Sequence, residues 1–229
     1  MNDEARTAIL NRIRQALPAA YLPAARPTTP PPPAPPPFAE PLAAVFGRAL
    51  AAVYGQLHPV PDDPAAVAFL VETLTGRGVR RVLSWEPAHL ALPGLESALA
   101  AAGIEPVAAR LNGPDRRADL ARLDPLEVGL TAAAAGLART GSLVVWADRD
   151  RGRLASLLPP VHYAVLRVEQ LYPDLAAWLA TLEARTGLAR YSSTIVITGP
   201  SRTADIAQTL TLGAHGPREL HVVLIGSSP

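Results

Sequence analysis

Apolar residues along the chain alternate between helical spacing and short strand-like runs, with glycine in many of the connections. Helical spacing covers residues 42–57, 63–76 and 93–102, and runs rich in valine and isoleucine follow. The predicted strands are 79–85, 104–109, 128–131, 143–147, 161–167, 194–198 and 219–225. This alternation predicts an α/β fold, a mostly parallel sheet with helices on both faces.

The pattern divides the chain into three parts. Residues 1–17 form an amphipathic helix with Ala5, Ile9 and Ile13 on one face. Residues 18–41 are a proline-rich linker, and residues 42–229 form the α/β domain. The linker is expected to be extended polyproline II, acting as a spacer or as a ligand for a proline-recognition module; we favour the spacer.

Two segments of the domain have unusual composition. Residues 132–139 are small, which predicts a helix that packs very close to its neighbours. The charged run 148–152 predicts a solvent-exposed hairpin tip. Asp63, followed by Pro64, is expected to cap the second helix of the domain.

A strand, a tight turn and a helix are predicted near the C-terminus. Strand 194–198 would end at Gly199 and Pro200, and a helix from about residue 201 to residue 212 would follow. Ile206 and Leu210 would face the sheet. In an open α/β sheet, anionic ligands bind where the carboxyl end of a strand meets the start of a helix.

Composition excludes several kinds of chemistry. The chain has no cysteine, so it cannot hold an iron–sulfur cluster or zinc through thiolates, and it has no lysine for a Schiff base or a P-loop. Its formal charge of +1 gives no general attraction to nucleic acid. No apolar run reaches the ~20 residues of a membrane span, and no secretory signal is present. We therefore expect a cytoplasmic protein.

Three polar turns carry the candidate site residues. The first contains Thr131, Thr140, Gly141 and Ser142, the second contains Arg153, Ser156 and His162, and the third contains Thr198, Gly199, Ser201, Arg202, Thr203, Asp205 and His215. Turns far apart in sequence can meet at one edge of a sheet, where hydroxyl groups, glycine N–H groups and arginine suit a carboxylate or phosphate. Any one of these side chains can also be structural, as a helix cap, an Arg202–Asp205 ion pair or a hydrogen-bonded histidine. The histidine spacing predicts no metal site, and nucleotide-binding and hydrolase motifs are absent.

The sequence blocks around these turns resemble a known family. Residues 128–133, 140–142, 153–162, 199–206 and 212–217 are similar to those of the lactate utilization protein C family, the LUD domain. The likeness covers roughly residue 42 to the C-terminus. The chain departs from the family at Arg139, where the usual residue is acidic.

The resemblance implies a fold similar to the sugar-phosphate isomerase, CoA-transferase and formyltetrahydrofolate cyclo-ligase group. It also implies a role in oxidising L-lactate to pyruvate, with partner subunits that carry the iron–sulfur clusters. It assigns no catalytic step to this chain.

Two other hypotheses stay open. A stand-alone enzyme for a phosphorylated or CoA-linked metabolite would hold the anion with Arg153 and Arg202 and use His162 or His215 as general acid–base. An adaptor would engage a partner through its N-terminal arm. We favour the lactate-oxidising assembly.

Overall fold

The described part of the chain falls into two compact units. The computed structural model describes residues 3–19, 36–110, 115–183, 191–204, 210–212 and 216–226. The units comprise residues 1–36 and 37–229. Most of the proline-rich linker lies outside the described residues. None of the described helices is long and apolar enough to cross a bilayer.

The described helices and strands are numbered in chain order. The helices are α1 (Asp3–Ala16), α2 (Leu42–Ala52), α3 (Asp63–Gly76), α4 (Pro87–Leu90), α5 (Leu95–Ala101), α6 (Arg116–Leu123), α7 (Leu154–Leu157) and α8 (Leu175–Glu183). The strands are β1 (Gln56–Val60), β2 (Arg81–Ser84), β3 (Glu105–Ala108), β4 (Val128–Ala132), β5 (Ala135–Leu137), β6 (Ser142–Ala147), β7 (Val161–Arg167), β8 (Leu171–Tyr172), β9 (Ser193–Ile197), β10 (Arg202–Ala204), β11 (Leu210–Leu212) and β12 (Glu219–Ile225).

In the N-terminal unit, residues 3–19 form α1 and one short 3₁₀ turn, so a helix is present where the sequence predicts one. Asp3 and Glu4 lie in its first turn and Arg14 in its last, which is the favourable arrangement for the helix dipole. No residue of α1 is buried, and the side chains of Ile9 and Ile13 are exposed.

Six strands form the parallel sheet that the alternating pattern predicts, in the order β1-β12-β7-β4-β2-β3. Every neighbouring pair is parallel. Strands β4, β7 and β12 are buried along nearly their whole length, as expected for central strands whose two faces are both covered. The helices α3 and α7 cover opposite faces. Ala155 of α7 lies against Gly129, whereas Phe69 of α3 lies 4.6 Å from the ring of His58, which the strand register places on the other side. The predicted α/β architecture is therefore confirmed.

The segment of small residues is not the helix that its composition predicts. Residues 135–137 form β5, which pairs with β6 and β8 in a second sheet of order β8-β5-β6-β9. A Cβ atom on Gly136 would lie 2.7 Å from side-chain carbons of Leu166 and Leu171. The small side chains do serve close packing, but of one sheet against the other. Tertiary pairing therefore overrides the helix propensity of alanine.

The helix predicted after Gly199 is also wrong in the residues that the structure describes. Residues 202–204 form β10, which is antiparallel to β11 at residues 210–212. The N–H of Ser201 donates to the carbonyl of Pro217 at 2.7 Å, so this donor is used before any helix could begin. Residues 205–209 lie outside the described residues. Strand β9 itself is confirmed, although it is an exposed edge of the second sheet.

Two helix boundaries differ from the sequence expectation. Helix α2 ends at Ala52 because Tyr54 has a positive φ of 66° and the N–H of Gly55 bonds back to Leu50 at 2.9 Å. The residues that follow form the edge strand β1. Helix α3 is capped by Asp62, whose carboxylate accepts from the N–H of Ala65 at 2.9 Å, and not by Asp63.

Gly129 on β4 marks the closest approach between the parallel sheet and α7. A Cβ atom at this position would lie 1.9 Å from the carbonyl oxygen of Ala155. We expect Gly129→Ala to lower the free energy of unfolding by about 2–3 kcal/mol, because α7 must shift to relieve the overlap. Urea denaturation of the full chain measures this loss.

Gly76, at the end of α3, provides the matched control. No atom lies within 4 Å of its virtual Cβ, so Gly76→Ala should be neutral or slightly stabilising. Equal stability of the two variants would contradict the proposed contact between β4 and α7.

Candidate functional site

A cleft of about 340 Å³ lies beside the amino-terminal ends of β7 and β12. We call it the central cleft. It is lined by Ser156, Leu157, His162, Ile195, Val196, Ile197, Thr198, Gly199, Pro200, Ser201, Arg202, Gly216, Pro217 and Leu220. The second and third predicted turns therefore share one cavity.

The cleft is not at the edge of the sheet that the sequence indicates. The turn at Gly199 does follow the carboxyl end of β9, but β9 belongs to the second sheet and runs antiparallel to β6. The N–H of Ser201 bonds to Pro217, just before β12, and the N–H of Arg218 bonds to Pro160, just before β7. These bonds hold the turn against the amino ends of the parallel strands.

His162 is the most buried polar side chain of the cleft. It is 0% exposed, and its Nε2 shares a hydrogen bond of 2.9 Å with the hydroxyl of Thr131. Burial, with repulsion from His221 as a smaller cause, lowers the pKa of His162 to about 3. The imidazole is therefore neutral at neutral pH. Its Nδ1 is buried and has no hydrogen-bond partner among the described residues.

A chain of hydroxyl groups links the first turn to the cleft. The hydroxyls of Thr140 and Ser142 are 2.7 Å apart, and those of Ser142 and Thr198 are 2.8 Å apart. Ser142 is buried, and Thr198 lines the cleft. Gly141, with a φ of 64°, lets the turn lie directly against the backbone of Leu50.

Arg202 supplies a positive charge at the mouth of the cleft. Its guanidinium lies 4.8 Å from the centre of the Tyr54 ring, and the side chain is exposed. Among the described residues Arg202 has no ion pair. Asp205, its possible partner in sequence, lies outside them. The stacked guanidinium keeps its N–H groups for a bidentate contact with an anion.

Ser156 has a local partner. Its hydroxyl donates to the carbonyl of Arg153 at 3.0 Å, within the turn that begins α7. The serine lines the central cleft, but Arg153 itself lines a different cavity. Arg153 and His162, which the sequence places in the same turn, therefore line two different cavities.

The predicted site residues fall into four groups. The central cleft is lined by Ser156, His162, Gly199, Ser201 and Arg202. It is supported by the hydrogen bonds of Thr131, Thr140 and Ser142 and by the turn at Gly141. Arg153 lies apart. Asp205, His215 and the side chain of Thr203 are outside the described residues. A ligand-binding role for these residues stays a prediction.

Arg139 also has a structural explanation. Its side chain lies 3.8 Å from the carboxylate of Asp174 and 4.5 Å from the centre of the Phe38 ring. Arg139 does not line the central cleft. The basic residue at this position is therefore partnered outside the cleft.

The sequence reading missed a polar cluster on the opposite face of the sheet. His58 Nε2 and His221 Nδ1 are 3.0 Å apart, and His221 Nε2 is 3.1 Å from Glu219, which also accepts from Arg77. The Tyr163 ring stacks on His221 at 4.4 Å. No sequence spacing connects these residues, because only the pairing of β1 with β12 brings the two histidines together.

Burial controls the protonation of this histidine cluster. It is the main cause that lowers the pKa of His58 to about 4, and the neighbouring His221 adds to the effect. Burial also lowers the pKa of His221, against the opposing effect of its hydrogen bond to the Glu219 carboxylate. The Arg77 guanidinium lowers the pKa of the Glu219 carboxyl. The two histidines can share their hydrogen bond only while one ring nitrogen remains unprotonated.

The lowered pKa values predict loss of stability in acid. Between the unfolded pKa of 6.5 and the folded values of about 4 for His58 and about 3 for His162, the unfolded chain binds more protons. The free energy of unfolding therefore has its full value from these histidines above pH 6.5, and it falls as the pH drops from 6.5 towards the folded pKa values. Fully buried His162 alone should contribute up to about 1.4 kcal/mol per pH unit in this window. Urea titrations at several pH values measure the slope.

His58→Gln should make this slope shallower, because the variant removes one of the histidine protons that are taken up on unfolding. Stability that is flat, or that rises on acidification between pH 6.5 and 4, would contradict the neutral, buried state of these histidines.

The hydroxyl chain can be tested at its centre. Ser142→Ala leaves the hydroxyls of Thr140 and Thr198 without their shared partner, so we expect a loss of about 1–2 kcal/mol in the free energy of unfolding. Ser97, exposed on α5, gives the control: Ser97→Ala should change stability by less than about 0.5 kcal/mol. If the Ser142→Ala variant were as stable as the Ser97→Ala control, the linked hydroxyl groups would contribute nothing to the free energy of unfolding.

Comparison with known proteins agrees with this architecture. The LUD domain profile matches residues 43–225. An uncharacterized protein of Neisseria meningitidis serogroup B is 32% identical over 161 residues, covering 67% of this chain and 64% of that protein. Lactate utilization protein C of Shouchella clausii is 27% identical, covering 68% of this chain and 67% of its own length. The protein of the same name from Bacillus subtilis is 30% identical over 109 residues, covering 47% of this chain and 45% of that protein.

A solved structure has the same fold. The crystal structure of a DUF162 family protein from Deinococcus radiodurans matches with a TM-score of 0.51 and 19% identity, covering 81% of this chain and 96% of that one. The matched part of the chain spans about half to two thirds of the length of the three relatives compared by sequence. The family profile extends over every strand of the parallel sheet and over both cleft-lining turns, and on this ground the chain belongs to the LUD domain family.

Proposed function

We propose that this protein takes part in the use of L-lactate, as a subunit of an assembly that oxidises L-lactate to pyruvate. Relatives named lactate utilization protein C, from Shouchella clausii and Bacillus subtilis among others, support the metabolic role. One structural observation supports the central cleft as the site of this function. The sequence blocks that resemble this family lie far apart along the chain. Residues of three of them line the central cleft, and Thr131 and Ser142 of the other two form hydrogen bonds with cleft residues.

The redox step would belong to partner proteins. Oxidation of L-lactate to pyruvate removes two electrons and two protons from the substrate. These 229 residues contain no cysteine, so they offer no thiolate ligands for an iron–sulfur cluster. We propose that iron–sulfur subunits accept the electrons, and that this chain contributes binding and positioning.

The central cleft suits a small carboxylate. Its volume of about 340 Å³ lies at the lower end of the range for small-molecule sites, which favours a ligand of few atoms. The Arg202 guanidinium can hold a carboxylate through two N–H groups. The neutral imidazole of His162 can share a hydrogen bond with the 2-hydroxyl group, and Leu220 provides apolar contact for the methyl group.

Growth on L-lactate tests the role of the protein. A strain that lacks this protein should not grow on L-lactate as its carbon source, and should grow normally on glucose. The wild-type gene and Arg48→Gln should restore growth, because Arg48 is exposed and pairs with Glu40 away from the cleft. Arg202→Gln should not. Normal growth of the deletion strain on L-lactate would contradict the proposal.

Binding and assembly can be measured separately on the same variants. Removing the charge-assisted contact of Arg202 should weaken L-lactate binding about 10- to 100-fold in calorimetry, while Arg48→Gln binds like the wild type. Affinity purification of the tagged protein from lactate-grown cells should yield partners with bound iron and visible iron–sulfur absorbance. Purification without iron-containing partners would contradict the proposed assembly. The carboxylate site would still be tested by calorimetry.

A further inference from the structure

A second cleft, of about 540 Å³, lies beyond the carboxyl end of β3. We call it the arginine cleft. Its walls are Ala109, Arg110, Arg116, Ala147, Asp148, Arg149, Gly152, Arg153, Leu154, Ser192 and Ser193. It shares none of these residues with the central cleft. Four arginines and one carboxylate therefore surround a single cavity.

The acidic residues near this cleft are already satisfied by the protein. The Asp148 carboxylate accepts from the N–H groups of Asp150 and Arg151 at 2.9 and 2.8 Å and pairs with the Arg151 guanidinium at 3.0 Å. Arg110 lies 2.8 Å from both Glu86 and Asp150. Asp148, Asp150 and Arg151 of this run are thus paired, with Arg110 as the partner of Asp150, and only Arg149 is exposed to solvent as the predicted hairpin tip would be.

Three guanidinium groups remain after this pairing. Arg116, Arg149 and Arg153 are exposed, and none has an ion pair with another described residue. They come from α6, from the charged loop and from the residue before α7. Three unpaired guanidinium groups around one cavity, whose lining carboxylate Asp148 is already paired with Arg151, favour an anionic ligand.

The loop that presents Arg149 is held in place. The indole N–H of Trp85 donates to the carbonyl of Gly152 at 3.1 Å, and Arg151 lies 5.6 Å from the centre of the Tyr191 ring. A Cβ atom on Gly152 would lie 1.7 Å from the carbonyl oxygen of Ala109, so the loop runs directly against the end of β3. A fixed loop lowers the conformational cost of binding.

We propose that the arginine cleft binds a metabolite that carries a diphosphate group. One carboxylate has a single negative charge, and one phosphate ester carries about −1.5 to −2 at neutral pH. Two linked phosphoryl groups match three unpaired guanidiniums more closely. The cavity has room for such a ligand, and the carboxyl ends of parallel strands are where open α/β sheets bind phosphorylated ligands. This site is independent of the lactate proposal.

Calorimetry with inorganic pyrophosphate tests the site on the full chain, in EDTA and low salt. We expect binding with a Kd below about 1 mM. Arg149→Gln and Arg153→Gln should each weaken it at least about fivefold, since each removes one charge-assisted contact. Arg117→Gln is the matched control, because Arg117 neighbours Arg116 on α6 but does not line the cleft. It should stay within about twofold of the wild type.

Three results would overturn the proposal. They are the absence of pyrophosphate binding, an equal loss of affinity in Arg117→Gln, and inorganic phosphate that binds as tightly as pyrophosphate. Melting temperatures of the free variants, expected to match the wild type, separate lost contacts from lost folding. L-Lactate binding should be unchanged in Arg149→Gln, which distinguishes this site from the central cleft.

Discussion

The parallel pairing of β7 between β4 and β12 is the constraint on which both polar clusters depend. Adjacent residues on a strand face opposite sides of the sheet, so His162 and Tyr163 serve two separate environments. His162 meets Thr131 on the face covered by α7. Tyr163 stacks on His221 on the other face, where α3 brings Arg77 to Glu219. A slip of one residue in this register would exchange the two faces and dismantle both clusters.

Sequence reasoning succeeds where local pattern and tertiary environment agree. The central strands β4, β7 and β12 are apolar because both of their faces are covered, and this composition is visible without a structure. It fails where packing overrides propensity. Residues 135–137 contain alanine, glycine and leucine and form a strand because Gly136 allows the second sheet to approach Leu166. Likewise, Ser201 gives its N–H to Pro217, and a strand follows in place of a helix.

The candidate site shows the same division. Polar residues at strand ends and turns identify Ser156, His162 and Arg202, and the structure brings these together around one cleft. The separation of Arg153 from His162 could not be predicted, because it depends on which way each side of α7 faces. The pairing of His58 with His221 was equally hidden, since the two residues are distant in sequence and meet only through the order of strands in the sheet.

The proposed carboxylate site is built around the neutral, buried imidazole of His162. Histidine side-chain NMR during an L-lactate titration tests it most directly, because the chain has His162 in the cleft and His58 and His221 on the opposite face. We expect the ring signals of His162 to shift with saturation while those of His58 and His221 stay in place. Unchanged His162 signals, or shifts confined to His58 and His221, would contradict it.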